Sequence, residues 1–311
     1  MRSEAVSLKR GASAHAPEIL LQGLCAVAVG IILLMLGIIL VDIMVGGFRV
    51  LSWEFVSAPP RNGMTAGGIF PAIFGTVALT LLMTVAAVPA GVATAVYLTE
   101  YAPPQSRIAR AIRVCIANLA GVPSIVFGLF GLGFFIATVG KSIDQAFYGG
   151  GLVYGKPSLI WASLTLAILT LPVVVVATEE ALRAVPREIR DASLALGATK
   201  LQTVAKVVLP EALGGVLTGS ILAISRGAGE VAPIMFTGAA YFLPFLPSHL
   251  NDQFMNLSYH VYVLATQSPD VDRTKPLLYG TVLVLLTLTF LLNLIAVLIR
   301  ARTRARLRAQ A

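Results

Sequence analysis

The sequence predicts an all-α, polytopic transmembrane helix bundle of six spans with both termini in the cytoplasm. Three observations carry this expectation. The 311 residues are 57% hydrophobic and only 12% charged, with a mean hydropathy of +0.85, whereas an ordinary soluble domain carries roughly 25% charge. Apolar runs long enough to cross about 30 Å of hydrocarbon occur near 19–45, 69–98, 111–139, 158–178, 212–240 and 276–299. Between the fourth and fifth runs lies a polar island, Glu179 to Glu211, with Arg183, Arg187, Glu188, Arg190, Asp191, Lys200 and Lys206. Such a stretch has to lie outside the lipid.

Charge sets the expected orientation, because an even number of spans puts both termini on one side and Lys and Arg gather in the cytoplasm. The N-terminal tail 1–18 holds Arg2, Lys9 and Arg10, and the region after the second run Arg107, Arg110 and Arg113. The island adds five more, and the tail 300–311 adds Arg300, Arg302, Arg304, Arg306 and Arg308. Together these are 16 of the 23 Lys and Arg residues. The opposite side has Arg49, Arg61, Lys141, Lys156, Arg273 and Lys275, and Arg226 lies inside a run. The net charge of +8 therefore follows topology rather than one folded face, and no nucleic-acid partner is expected. The C-terminal arginines are suited to membrane lipid head groups.

Taken in order, the first run is too long for a signal-peptide core and no small-residue cleavage site follows it, so 19–45 reads as a mature helix. Asp42 near its outer end reads as exposed at the interface. Residues 46–68, with Gly46, Gly47, Pro59, Pro60, Gly63, Gly67 and Gly68, read as an irregular external loop. The second run carries Pro71, Gly75, Pro89 and Gly91, and the third Gly121, Pro123, Gly128, Gly131 and Gly133. Kinked, closely packed helices are expected from these. Cys25 and Cys115 fall in apolar runs far apart in sequence. They read as packing residues, with neither a disulfide nor a metal site indicated.

Two nucleotide-like patterns fail on context. Gly-x-x-Gly-x-Gly at 128–133 has no strand before it and lies in an apolar run. Gly150 to Lys156 has P-loop spacing, but Pro157 stands where a Mg²⁺-binding Ser or Thr belongs, and the charge count places the loop outside. Any ATP and Mg²⁺ would have to sit on another chain. Neither His-Glu-x-x-His nor Gly-x-Ser-x-Gly is present. His15, His249 and His260 lie outside the apolar runs, so a membrane-embedded hydrolase is unsupported.

The island itself has order. Pro186 suits a helix start, Ile189, Ala192 and Leu196 recur at helical spacing, and Gly197 supplies a stop. Thr199 and Gln202 form a Thr-x-x-Gln capping box that opens a second helix, with Leu201, Val204, Val207 and Val208 on one face before Pro210. Two short helices meeting at a bend are expected.

Arg226 and Glu230 fall in the middle of the expected fifth helix, four residues apart on one face, about 21 Å along from its start at Ala212. Charges at that depth have to face protein or water. A structural salt bridge is one reading. The other is a transport path, in which the guanidinium's planar fork of donors selects an oxyanion. In the external segment 241–275, Leu250, Phe254, Leu257, Val261 and Leu264 suggest a short amphipathic helix that packs across the bundle or docks an external partner.

Asp191-Ala192-Ser193, Gly197 and Val207-Val208-Leu209-Pro210 resemble the Glu-Ala-Ala…Gly…Ile-x-Leu-Pro loop of bacterial ABC importer permeases, with conservative departures at Asp191, Ser193 and Val207. Within that family three stretches are similar to the phosphate-uptake permeases. These are Gly121 to Gly131, where Phe127 replaces a frequent Tyr, Thr178 to Pro186, and Ser225 to Pro233. The resemblance implies a type I importer permease fold with a core over 69–299 and a cytoplasmic coupling loop at 179–211. In it Asp191, Ala192, Ser193, Gly197, Leu209 and Pro210 contact a separate ATPase. It also implies the partners: a second, homologous permease, two ATPase subunits, an external phosphate-binding protein and inorganic phosphate. A sulfate or molybdate permease and an ion-coupled secondary anion transporter are the alternatives.

Overall fold

The computed structural model describes residues 16–103, 105–268 and 271–310. Arg2, Lys9, Arg10 and His15 of the tail lie outside the described residues. In chain order the elements are α1 (Ala16–Phe48), α2 (Trp53–Ser57), β1 (Pro60–Arg61), β2 (Ala66–Gly67), α3 (Phe70–Tyr101), α4 (Arg107–Gly121) and α5 (Ser124–Phe147). There follow α6 (Leu159–Ala184), α7 (Arg187–Ala195), α8 (Lys200–Gly229), α9 (Ala232–Thr237), α10 (Leu257–Thr266) and α11 (Val271–Gln310). Six of them, α1, α3, α5, α6, α8 and α11, are long and apolar enough to cross a membrane.

The centre is α6, flanked by α3 and α8. Two buried clusters fill the bundle. One, near α9 and α10, joins Leu79, Met83, Leu166, Ile234, Phe254 and Leu257. The other, near α4 and the start of α8, joins Leu98, Ile116, Val175, Leu182, Val208 and Ala212. Small residues let the backbones close up, as membrane helices require. Gly75 of α3 lies directly against the Met255 carbonyl, and Gly215 and Gly219 of α8 lie against Ala181 and Ala177 of α6, leaving no room for a side chain. The buried hydroxyls of Thr76, Thr80, Thr165 and Thr170 donate to carbonyls one turn back in their own helices, so they enter the apolar interior satisfied.

Among the described residues, α1 stands at the edge of this bundle and packs chiefly against α11. Gly46 and Gly47 sit on Tyr279 and Leu283, and the Tyr279 hydroxyl donates to Asp42 at 2.8 Å. Asp42 is exposed, as expected, but it also ties the two peripheral spans together.

Several boundaries differ from expectation, each for a local reason. The third span is not 111–139: Pro123 separates the amphipathic α4 from α5, which is the membrane-length helix. The fifth run does not stay helical to 240. α8 stops at Gly229, Glu230 is extended, and α9 restarts with Pro233 in its first turn. Pro210 does not end a short second helix, because Val204–Val208 widens into a π turn and the helix runs on. The loop 46–68 is partly regular: Ser52 caps α2, and β1 pairs antiparallel with β2. The helix expected from Leu250 starts only at Leu257. Phe254 is fully buried in extended backbone, exchanging hydrogen bonds with residues Gly238 and Ala240. Cys25 and Cys115 are exposed on this chain rather than packed in its core.

The loop with P-loop spacing is held by a residue that its spacing does not include. The Asp144 carboxylate, at the end of α5, accepts the backbone N–H groups of Val153, Tyr154 and Gly155 at 3.1, 2.8 and 2.7 Å. Donors that a phosphate would need are taken by the chain's own carboxylate.

α10 packs into the core, and His260 on it is 4% exposed with no partner for Nδ1. Burial lowers its pKa to about 4, against about 6.5 in an unfolded chain. The folded state therefore keeps it neutral, so stability is complete above about pH 6.5 and is lost as pH falls toward 4, by on the order of 3 kcal/mol. Unfolding midpoints of the detergent-solubilised chain should fall between about pH 7 and about pH 4.5, and His260→Leu should flatten that slope. An unchanged slope in the variant would show that other groups set it.

Candidate functional site

The predicted residues gather at the two ends of one helix. At the first end, α7 follows Pro186 and closes at Leu196, after which Gly197 takes φ +85°, a left-handed conformation that suits glycine. The capping box forms as expected. The Gln202 N–H donates to Thr199 Oγ1 at 3.3 Å and the Thr199 N–H to Gln202 Oε1 at 2.9 Å. Ser193 and Thr203 hydroxyls meet at 3.0 Å across the bend. Asp191, Ala192 and Gly197 are exposed, whereas Leu209 and Pro210 lie farther along α8 and are half-buried.

What fixes α7 where it leaves α6 is Arg190, which the sequence pattern did not single out. Its guanidinium reaches Glu100 Oε1 at 2.8 Å and donates to the carbonyls of Leu182 and Val185 at 2.7 and 2.6 Å. It thereby caps the end of α6 and pins α7 to the end of α3, with both charged side chains largely buried. Beside it, Arg113 donates to the Leu98 carbonyl at 2.7 Å and pairs with Glu179 at 3.3 Å, and Glu179 also meets Arg183 at 3.4 Å. These groups border a cleft of about 560 Å³ lined by Glu100, Arg113, Arg187, Arg190 and Asp191 among others. Glu100 and Arg190 are 90 residues apart, a separation with no periodic signature. Leu196 and Leu201 stand out at 89% and 68% exposed on this polar segment. Two large apolar side chains are thus exposed on an otherwise polar bend.

At the other end of α8, Arg226 Nε and Glu230 Oε1 are 3.4 Å apart. The expected pair is formed, but at the terminus of the helix rather than its middle, because α8 begins at Lys200 and stops at Gly229. Lys200 and Arg226 are about 39 Å apart along the axis at 1.5 Å per residue. The Arg226 side chain is 41% exposed, so it opens onto the surface of this chain. Gly227 lies against the Met83 sulfur, and the Ser225 hydroxyl bonds Asn293 at 2.7 Å, which seats this turn on α3 and α11.

Replacing Arg190 by Ala leaves Glu100 without its charge partner and two carbonyls without their donors. Loss of one partner of a buried pair costs about 3–5 kcal/mol. Hydrogen exchange of the α7 amides should speed up at least tenfold in Arg190→Ala, with α10 unaffected; equal protection in both proteins would remove Arg190 as the clamp.

Residues 87–308 match the family described as binding-protein-dependent transport system inner membrane component. The chain is 34% identical over 215 residues to the probable ABC transporter permease protein YqgI of Bacillus subtilis, covering 69% of this chain and 67% of that protein. It is 36% identical over 236 residues to the phosphate transport system permease protein PstA 1 of Mycobacterium tuberculosis, covering 76% of this chain and 71% of that protein. Among solved structures, a bacterial alginate ABC transporter in complex with its alginate pentasaccharide-bound periplasmic protein has a chain of the same fold. Its TM-score is 0.65 at 13% identity, over 95% of this chain and 97% of that one. With the matched region spanning the bend, all of α8 and the Arg226–Glu230 pair, the chain belongs to the family of binding-protein-dependent transport system inner membrane components.

Proposed function

We propose that this chain is the membrane permease subunit of an ATP-driven importer of inorganic phosphate in the bacterial plasma membrane, with both termini cytoplasmic. The observation that carries this is the 36% identity to a phosphate transport permease over most of both chains. The chain contributes half of the translocation pathway and works with a second, homologous permease, two ATPase subunits that bind ATP and Mg²⁺, and an external phosphate-binding protein.

Arg226 and Glu230 line the path in this reading. Glu230 is 18% exposed and largely covered, whereas Arg226 is 41% exposed, so the open side of the guanidinium fits a role toward something outside the chain. The guanidinium offers paired donors to an oxyanion, and Glu230 holds that fork until the anion arrives. Asp191, Ala192, Ser193 and Gly197 form the bend that contacts the ATPase, with Leu209 and Pro210 supporting it from within α8.

The test is uptake by the complete complex in vesicles. ATP-dependent entry of phosphate, with sulfate and molybdate excluded, is expected, and Arg226→Gln should lower it at least a hundredfold while the complex still assembles. Preferred uptake of sulfate or molybdate would reassign the passenger. Uptake without ATP would point to a secondary transporter, and normal uptake by the variant would take Arg226 out of the path.

A further inference from the structure

The end of α8 is held by a hydroxyl from an element outside the six spans. A helix leaves its last carbonyls without intrahelical donors, and together they form the negative end of its dipole. In α8 that end is where Arg226 and Glu230 meet, since the helix stops at Gly229 and Glu230 is extended. For an oxyanion the location is mixed. Arg226 attracts it, while open carbonyls and the Glu230 carboxylate repel it.

Ser258 changes this balance. It is 4% exposed, and its Oγ donates to the Ala228 carbonyl at 2.8 Å, across 30 residues of chain. Its own position is over-determined. The Asn256 side chain caps the Ser258 and Tyr259 N–H groups at 2.9 and 3.2 Å, and the Leu257 N–H donates to Thr76 Oγ1 of α3 at 2.9 Å. The neighbouring Gly227 carbonyl receives the Glu230 N–H at 3.4 Å, and the Gly227 Cα lies against the Met83 sulfur, which donates nothing. The Ser258 hydroxyl is thus a donor brought to this helix end by the fixed first turn of α10.

We propose that Ser258 is a positioning residue for the anion step. By holding the Ala228 carbonyl it fixes the break between Gly229 and Glu230, and with it the place of the Glu230 carboxylate. It also weakens the negative field that an oxyanion meets at Arg226. The assignment rests on the reading that the Arg226–Glu230 pair lines the path.

The experiment uses the assembled transporter in vesicles, with inorganic phosphate as the probe, and measures phosphate moved per ATP hydrolysed. An unsatisfied buried carbonyl is costly enough to lower that ratio in Ser258→Ala about tenfold. ATP hydrolysis stimulated by the binding protein should stay within about twofold of the unaltered complex, because the bend is untouched. Ser258→Thr keeps the hydroxyl and should restore the ratio. An unchanged ratio in Ser258→Ala, when Arg226→Gln is inactive, overturns the role of Ser258 and leaves the path intact. A ratio in Ser258→Thr as low as in Ser258→Ala overturns it too, as does failure of both variants to assemble, which would mark the residue as a space-filler. Normal transport by Arg226→Gln would instead remove the path on which the assignment rests.

Discussion

The constraint on which the rest of the chain depends is a proline inside a helix that does not break. Pro210 has no N–H to give, and its ring presses on the carbonyl one turn back, a combination that costs roughly 3 kcal/mol in a regular helix. Here the preceding turn widens instead. Val204–Val208 is a π turn, and the Leu209 N–H reaches back to the Val204 carbonyl. The added room takes the ring, and α8 continues as one rod from Lys200 to Gly229. A break at Pro210 would have put the polar bend and the Arg226–Glu230 pair on separate bodies. Without it, a tilt at one end is a displacement at the other.

The two ion pairs on this rod and its neighbour differ in kind. Arg190 and Glu100 are 17% and 10% exposed, and the guanidinium also fills two carbonyl sites at the end of α6. Removing either partner strands the other in a place where water does not replace it. Arg226 is 41% exposed and holds Glu230 through one long contact of 3.4 Å. The first pair sets geometry. The second leaves a guanidinium edge open.

How much of this was legible depends on range. The capping box at Thr199 and Gln202, the left-handed Gly197 and the six apolar helices are local features, and each follows from residues within a turn or two. Helix ends inside apolar sequence were harder. Hydropathy continues past Glu230 through Val231, Ile234 and Phe236, so the run looked unbroken to 240, yet Gly227, Gly229 and Pro233 end one helix and start another. Likewise the apolar character of 111–139 hid the break at Pro123, although Arg107, Arg110 and Arg113 already marked the first part as amphipathic. The contacts that fix the site were not legible at all. Arg190 to Glu100, Ser258 to Ala228 and Asp144 to the loop at 153–155 join residues that only the packed bundle brings together.

The distribution of these contacts says where the chain is finished and where it is not. Around α6, glycines of α3 and α8 bring the helices into close contact, and the Thr165 and Thr170 hydroxyls are satisfied within their own helix, so that centre has little freedom to rearrange. At the two ends of α8 the opposite holds: Leu196 and Leu201 project from the bend, and Arg226 faces out at the far terminus. Exposed leucines on a charged segment and an exposed guanidinium beside apolar helices are both costly in isolation. Each is rational if another chain covers it. On the proposed function, a rod continuous along its length and exposed at both ends carries a push from the ATPase at the bend to the path at Arg226.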